Sequence, residues 1–152
     1  MPKQGVTKLS VFRWALFNAL LGNGDAHLKN LSCFLTPKGY EFTPLYDLLC
    51  TAIYSEPGQH LSSDLSQPMG NAEKLGELSY ADILKFGSDL GLPTRLCDKE
   101  IRKMLDAIIP EANQLYESVA ANKEVQNKAG ELRMLRQITE LVIKEMVKLV
   151  QD

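Results

Sequence analysis

Residues 17–35, FNALLGNGDAHLKNLSCFL, decide how this chain is read. The stretch leaves an apolar run, passes through glycines and asparagines, and then delivers an acid, a histidine, a lysine and an amide between positions 25 and 30. Leading into the polar loop, Val11, Phe12, Ala15, Leu16, Ala19 and Leu20 recur at three- and four-residue intervals. That spacing predicts a helix over 9–21 with one buried face. Gly22-Asn23-Gly24 closes the helix, because glycine and asparagine accept the left-handed conformation that helix ends require.

Downstream, residues 31–36 and 40–43 flank Pro37-Lys38-Gly39, which is turn chemistry, so a small β-hairpin is expected. Pro44-Leu45-Tyr46-Asp47 and a short apolar segment, 48–54, follow. A hairpin returns the backbone close to where it left, which would bring Asp47 back toward Asp25 and Asn30. Two carboxylates and an amide there supply oxygen ligands suited to Mg²⁺. They leave one carboxylate to orient a hydroxyl and accept its proton. D-x-x-x-x-N, then a hairpin, then a second Asp is also the layout of protein-kinase catalytic machinery. Spacing alone leaves a second reading open, a solvated loop in which Asp25 and Asn30 make local turn hydrogen bonds.

The remainder reads as helical after one interruption. Residues 55–78 are rich in Ser, Gly, Pro and Gln, and predict a long loop with at most a short strand near His60-Leu61. Ser79-x-x-Asp82 opens a helix that runs to Gly91, with Pro93 blocking continuation. Asp98 is expected to cap a helix through Ile109, and Pro110 permits a kink or a fresh start into 111–121. A last helix over 124–150 carries Leu132, Leu135, Ile138, Val142, Met146 and Leu149 as one stripe, for its own core or for a partner. The fold class is therefore mainly α with a small β-hairpin.

Composition bounds the function. A chain of 152 residues is one domain-sized unit. A net charge of −2 does not describe a broad nucleic-acid surface. Apolar runs are too short to span a bilayer. Lys3, Lys8 and Arg13 before WALFNALL faintly resemble a signal peptide, but Asn18 interrupts the run and no A-x-A site follows. A cytoplasmic protein without a membrane partner is expected. Cys33, Cys50 and Cys97 are odd in number and set among apolar neighbours, which predicts buried reduced thiols. His27 and His60 add too little for a structural metal cluster.

The motif on both sides of the hairpin resembles the C-terminal lobe of the HipA family. That family's pattern, N-x-D-x-H-x-K/R-N followed by a strand pair and Y-D, is matched at Asn23, Asp25, His27, Lys29, Asn30, Tyr46 and Asp47. QPMGNAEKLGELSYADILKFGSDLGL, residues 67–92, resembles the family's continuation, and the likeness covers roughly residues 10–110. The resemblance implies a bacterial Ser/Thr protein kinase that acts as the toxin of a toxin–antitoxin system. It implies ATP as co-substrate, Asp25 as catalytic base, and Asn30 and Asp47 as Mg²⁺ ligands. His27 and Lys29 would lie along the triphosphate and Tyr46 would flank the nucleotide. Implied partners are a protein substrate such as an aminoacyl-tRNA synthetase and a HipB-like helix-turn-helix antitoxin, with DNA contacted only through the antitoxin.

A complete kinase also needs a Gly-rich phosphate loop and a strand-borne lysine. No such glycine pattern is present, and too little sequence precedes the first helix to build an N-lobe. The expectation is a single protein-kinase-like, HipA-type C-lobe over residues 1–152 with the N-lobe absent, as a fragment or split product. A separate N-lobe polypeptide or self-association would complete it. The alternative is a non-catalytic binding module that engages an antitoxin or a kinase half.

Overall fold

The first helix, α1, spans Gln4–Leu21 and begins before its apolar repeat does. The computed structural model describes residues 4–152, with backbone alone for 4–6, so Lys3 lies outside the described residues. Phe12, Trp14, Ala15, Leu16, Ala19 and Leu20 are buried on α1, and Asn18 is buried among them. Val11 is only half-buried. α1 packs against the later helices Tyr80–Asp89, Thr94–Ala121 and Lys144–Gln151.

The predicted hairpin is present. Strands β1, Cys33–Thr36, and β2, Gly39–Phe42, pair antiparallel, with Cys33 opposite Phe42 and Thr36 opposite Gly39. Phe34, Leu35 and Tyr40 of this two-stranded sheet stand exposed. Cys33 is exposed with them, which corrects the expectation of three buried thiols; only Cys50 and Cys97 are buried.

Residues 55–78 are not a long loop. Short 3-10 turns at Thr51–Tyr54 and His60–Ser62 lead into a second antiparallel hairpin, β3, Asp64–Met69, and β4, Ala72–Lys74. His60 and Leu61 lie in the turn rather than in a strand. Leu65, Met69 and Ala72 bury the hairpin against the core. A register irregularity between Asp64 and Met69 breaks the simple alternation that would have announced β3.

Helix α2, Tyr80–Asp89, starts as predicted. The Ser79 hydroxyl accepts from the Asp82 N–H at 3.2 Å, and the Asp82 carboxylate accepts from the Ser79 N–H at 3.0 Å. Helix α3 runs unbroken over Thr94–Ala121. It begins directly after Pro93, so Asp98 is not a cap; its carboxylate accepts from Tyr80 Oη and from Arg102 one turn on. Burial of Ile101, Leu105 and Ile108 carries α3 past Pro110, where a single main-chain donor is missing.

The last helical path begins later than predicted and is not uniform. Helix α4, Lys128–Ile138, follows Asn127, which sits at φ 50°. A π-helical turn over Thr139–Ile143 then joins it to α5, Lys144–Gln151. The π turn shifts the helical register, so one stripe becomes two. Val142, Met146 and Val150 are fully buried, with Ile143 and Val147 beside them, whereas Leu132 and Leu135 are half-buried. The π turn and α5 pack on α1, so this tail completes the domain's own core. Among the described residues no helix is long and apolar enough to cross a membrane.

One charged side chain enters this core. Glu100 of α3 is 7% exposed and accepts two hydrogen bonds from Arg13 of α1, from Nε at 2.7 Å and Nη2 at 2.8 Å. The Arg13 guanidinium holds the Glu100 carboxyl below the usual glutamate range.

Candidate functional site: the loop between α1 and the first hairpin

α1 ends at Gly22, whose φ of 72° is open to glycine and strained for residues with a Cβ. The Gly22 carbonyl accepts from the Ala52 N–H at 3.0 Å and the Thr51 hydroxyl at 3.2 Å. Thr51 Oγ1 also accepts from the Gly24 N–H at 2.7 Å. The segment after Asp47 is thus sewn to the segment before Asp25.

Between them lies Asn23, 2% exposed. Its Nδ2 donates to Asn18 Oδ1 at 2.8 Å and to the Asp47 carbonyl at 3.0 Å. Its Oδ1 accepts from the Asp25 N–H at 3.0 Å. The backbones of Asp25 and Asp47 are thereby held one side-chain amide apart. Asn30 closes the set: its Nδ2 donates to the Asp25 carbonyl at 3.0 Å, which leaves Oδ1 as the acceptor that faces no donor among the described residues.

The main chains of Asp25 and Asp47 are thus both hydrogen-bonded to Asn23, and that of Asp25 to Asn30. The Asp25 side chain is 73% exposed, and its Oδ1 lies 3.0 Å from His27 Nε2. Lys29 makes no ion pair among the described residues. Asp47 is exposed and stands at φ 53°, in the left-handed region that residues with a Cβ seldom adopt. Tyr46 does something the sequence does not announce. Its hydroxyl donates to the Lys29 carbonyl at 3.0 Å and lies 2.8 Å from Ser32 Oγ, so it ties the return of the hairpin to its start.

Among the described residues no group of three or more His, Cys, Asp or Glu side chains could hold a metal ion. A cation here would be held by a mixed set, the Asn30 amide oxygen and the Asp47 carboxylate, with water and phosphate oxygens completing it. Those are the hard donors Mg²⁺ takes, and Mg²⁺ keeps several non-protein ligands. The donor chemistry fits.

Sequence reasoning placed Asn23 in the helix-closing turn and in the family motif but assigned it no part in holding the site, and did not single out Thr51. The usable signal is Asn18: an amide in the middle of a buried helical face requires a buried partner, and Asn23 supplies it.

A sequence profile described as the HipA-like C-terminal domain matches residues 2–112. The "Serine/threonine-protein kinase toxin HipA" of Shewanella oneidensis is 38% identical over 89 residues, which are 59% of this chain and 20% of that protein. A Sinorhizobium fredii protein provisionally named a kinase is 28% identical over 130 residues, covering 80% of this chain and 30% of that protein. A solved Shewanella oneidensis assembly of HipA, HipB and operator DNA contains a chain similar in fold, with a TM-score of 0.72 at 24% identity. That match covers 94% of this chain and 32% of the solved one. The chain thus spans between a fifth and a third of the length of these relatives. With its profile match across most of its length, this mainly helical chain with two small antiparallel sheets belongs to the HipA family, as a HipA-like C-terminal domain.

Proposed function

We propose that this chain is the catalytic C-lobe of a HipA-like Ser/Thr protein kinase, acting with ATP and Mg²⁺ on a protein hydroxyl. The observation that carries the reading is the Asn23 amide. It holds the backbones of Asp25 and Asp47 together, while Asn30 hydrogen-bonds to Asp25 from the other side. Phosphoryl transfer needs little covalent chemistry from the protein and much positioning. An exposed carboxylate beside a pair of oxygen ligands meets that need.

In this reading Asp25 orients a serine or threonine hydroxyl and accepts its proton as the oxygen bonds to the γ-phosphorus; the bond to the β–γ bridging oxygen breaks and ADP leaves. The Asp25 carboxylate stays oriented through His27 Nε2. Asn30 Oδ1 and the Asp47 carboxylate hold Mg²⁺, which when bound neutralises phosphate oxygens. His27 and Lys29 lie along the triphosphate, Lys29 as a point charge. Tyr46 flanks the nucleotide with its ring, since its hydroxyl is committed to Lys29 and Ser32.

The adenine contacts and the Gly-rich phosphate loop belong to an N-lobe, so the isolated chain binds ATP weakly and transfers phosphate negligibly. A HipB-like antitoxin is the proposed partner, with DNA reached through it, and a protein of translation is the proposed substrate. The exposed apolar hairpin favours a second reading, a binding module that engages an antitoxin or kinase half without catalysis.

The test is a kinase assay on the chain assembled with an N-lobe polypeptide of the family, at varied Mg²⁺. Asp25→Asn should lower transfer by about 10²- to 10⁴-fold with little change in melting temperature. Asp47→Asn should raise the Mg²⁺ requirement, because a neutral amide is the poorer ligand. Full activity in the Asp25→Asn assembly would refute the assigned base, and an inactive wild-type assembly would favour the binding module.

A further inference from the structure

We infer that Asn23 is a positioning residue that holds Asp47 in its left-handed conformation, while the Asn18 side chain matches the remaining buried amide hydrogen of Asn23 and supports the fold. The inference rests on the kinase reading for its consequence, but on the amide geometry for its content. Asn18 and Asn23 are 1% and 2% exposed, in a helix end otherwise lined by Trp14, Leu16 and Leu20. A buried amide is tolerated when its polar atoms are matched. Here they are. Asn18 Nδ2 donates to the Trp14 carbonyl at 2.9 Å, and Asn18 Oδ1 takes one hydrogen of Asn23. The Asn23 main-chain N–H donates to the Asn18 carbonyl at 2.9 Å, which fixes the residue from a third side.

Everything left over on Asn23 is spent on the loop. Its second hydrogen goes to the Asp47 carbonyl and its oxygen to the Asp25 N–H. Asp47 stands at φ 53°, which is disfavoured for any residue with a Cβ, so it stays there only if its surroundings over-determine it. The Asn23 bond to its carbonyl is the sole side-chain hydrogen bond to Asp47 among the described residues. Leaving the left-handed region would swing the Asp47 Cα–Cβ bond and redirect its carboxylate. One buried amide thus sets where the proposed metal ligand points relative to the proposed base.

Two variants separate positioning from plain support. Asn23→Ser keeps an acceptor for the Asp25 N–H but is too short to reach Asp47. Asn18→Leu removes that buried partner and leaves both loop bonds of Asn23 in place. The readouts are the backbone chemical shifts of Asp47 in the full ¹⁵N,¹³C-labelled chain and the Mn²⁺ concentration that broadens the Asn30 and Asp47 amide signals.

The expected result is that Asn23→Ser moves Asp47 out of left-handed shifts and weakens Mn²⁺ broadening about 10- to 100-fold, the usual scale for a group supporting a metal ligand. Asn18→Leu should lower the melting temperature while changing Mn²⁺ broadening less than threefold. Asn23→Ser with unchanged Asp47 shifts and unchanged Mn²⁺ broadening would overturn the positioning role. Equal Mn²⁺ loss in both variants would overturn it too, by making the pair mere support. Wild type that shows left-handed Asp47 but no broadening at millimolar Mn²⁺ would instead overturn the metal reading on which the consequence depends.

Discussion

Gly22→Ala is the most informative single change, because the cost can be worked from contacts. A Cβ on Gly22 would lie 2.6 Å from Val142 Cγ1 and 2.9 Å from Ala52 Cβ, far inside ordinary contact. Both neighbours are fully buried. Ala52 cannot swing aside, since its Cβ is fixed to the backbone. Val142 sits in a helical segment where a β-branched side chain has essentially one rotamer. The alanine would also inherit a φ of 72°, a left-handed conformation that costs about 1–2 kcal/mol. Overpacking adds about 1–3 kcal/mol. Together these predict a loss of about 2–5 kcal/mol and, for a chain of this size, a melting temperature lower by roughly 5–15 °C. Thermal melts followed by circular dichroism read this directly. Val142→Ala opens a void on one side of the new methyl, so the double variant should be more stable than the two single costs imply, by about 1–2 kcal/mol of coupling. Gly22→Ala melting within about 2 °C of wild type, or strict additivity with Val142→Ala, would refute the reasoning.

Two further outcomes follow from the same coordinates. Glu100→Gln should cost about 1–2 kcal/mol near neutral pH, since it weakens a bidentate pair whose carboxylate is buried and whose guanidinium is half in solvent. Arg13 lowers the carboxyl below the ordinary glutamate value of 4.5, so its contribution is fully present above that value and lost as pH falls through the lowered one. Melts between pH 6 and 3 should therefore decline less steeply in the variant; a parallel decline would remove Glu100 as a source of acid sensitivity. On the surface, Phe34, Leu35, Tyr40, Leu45 and Leu49 are exposed near the loop, and beside them a cleft of about 430 Å³ lined by Trp14, Phe17, Leu31 and Phe42 separates α1 from the first hairpin. Light scattering across a concentration series should show self-association that Leu35→Lys with Tyr40→Lys abolishes; a wild-type monomer at millimolar concentration would count against this face as a contact surface.

What was legible in the sequence was local. The helical spacing of α1, the Pro37-Lys38-Gly39 turn and the Ser79–Asp82 box each involve residues a few positions apart, and each is found where expected. The second hairpin was hidden because Pro68 and a register irregularity break the alternation that marks a strand. Asp98 reads as a cap from composition, yet Pro93 moves the helix start ahead of it. The π turn is invisible to a 3.6-residue count, so two faces were read as one stripe. At the site the exposed polar residues announced themselves by type and spacing. The bonds made by Asn23 and Thr51 did not, because they join positions far apart along the chain.

The contact of Gly22 with Val142 and Ala52 has a consequence for how the chain comes into being. The side of Gly22 where a Cβ would stand is filled by Val142, a residue far along the sequence. Contacts between distant residues form only after the intervening chain has been closed into a loop, at an entropic cost that local helices do not bear. During synthesis at about 5–20 residues per second, α1 and the first hairpin emerge seconds before Val142 exists. In that interval the Asp25 loop has its hairpin but not its floor. A nascent chain therefore carries the polar motif unseated, and the loop reaches its final geometry only when the π turn docks.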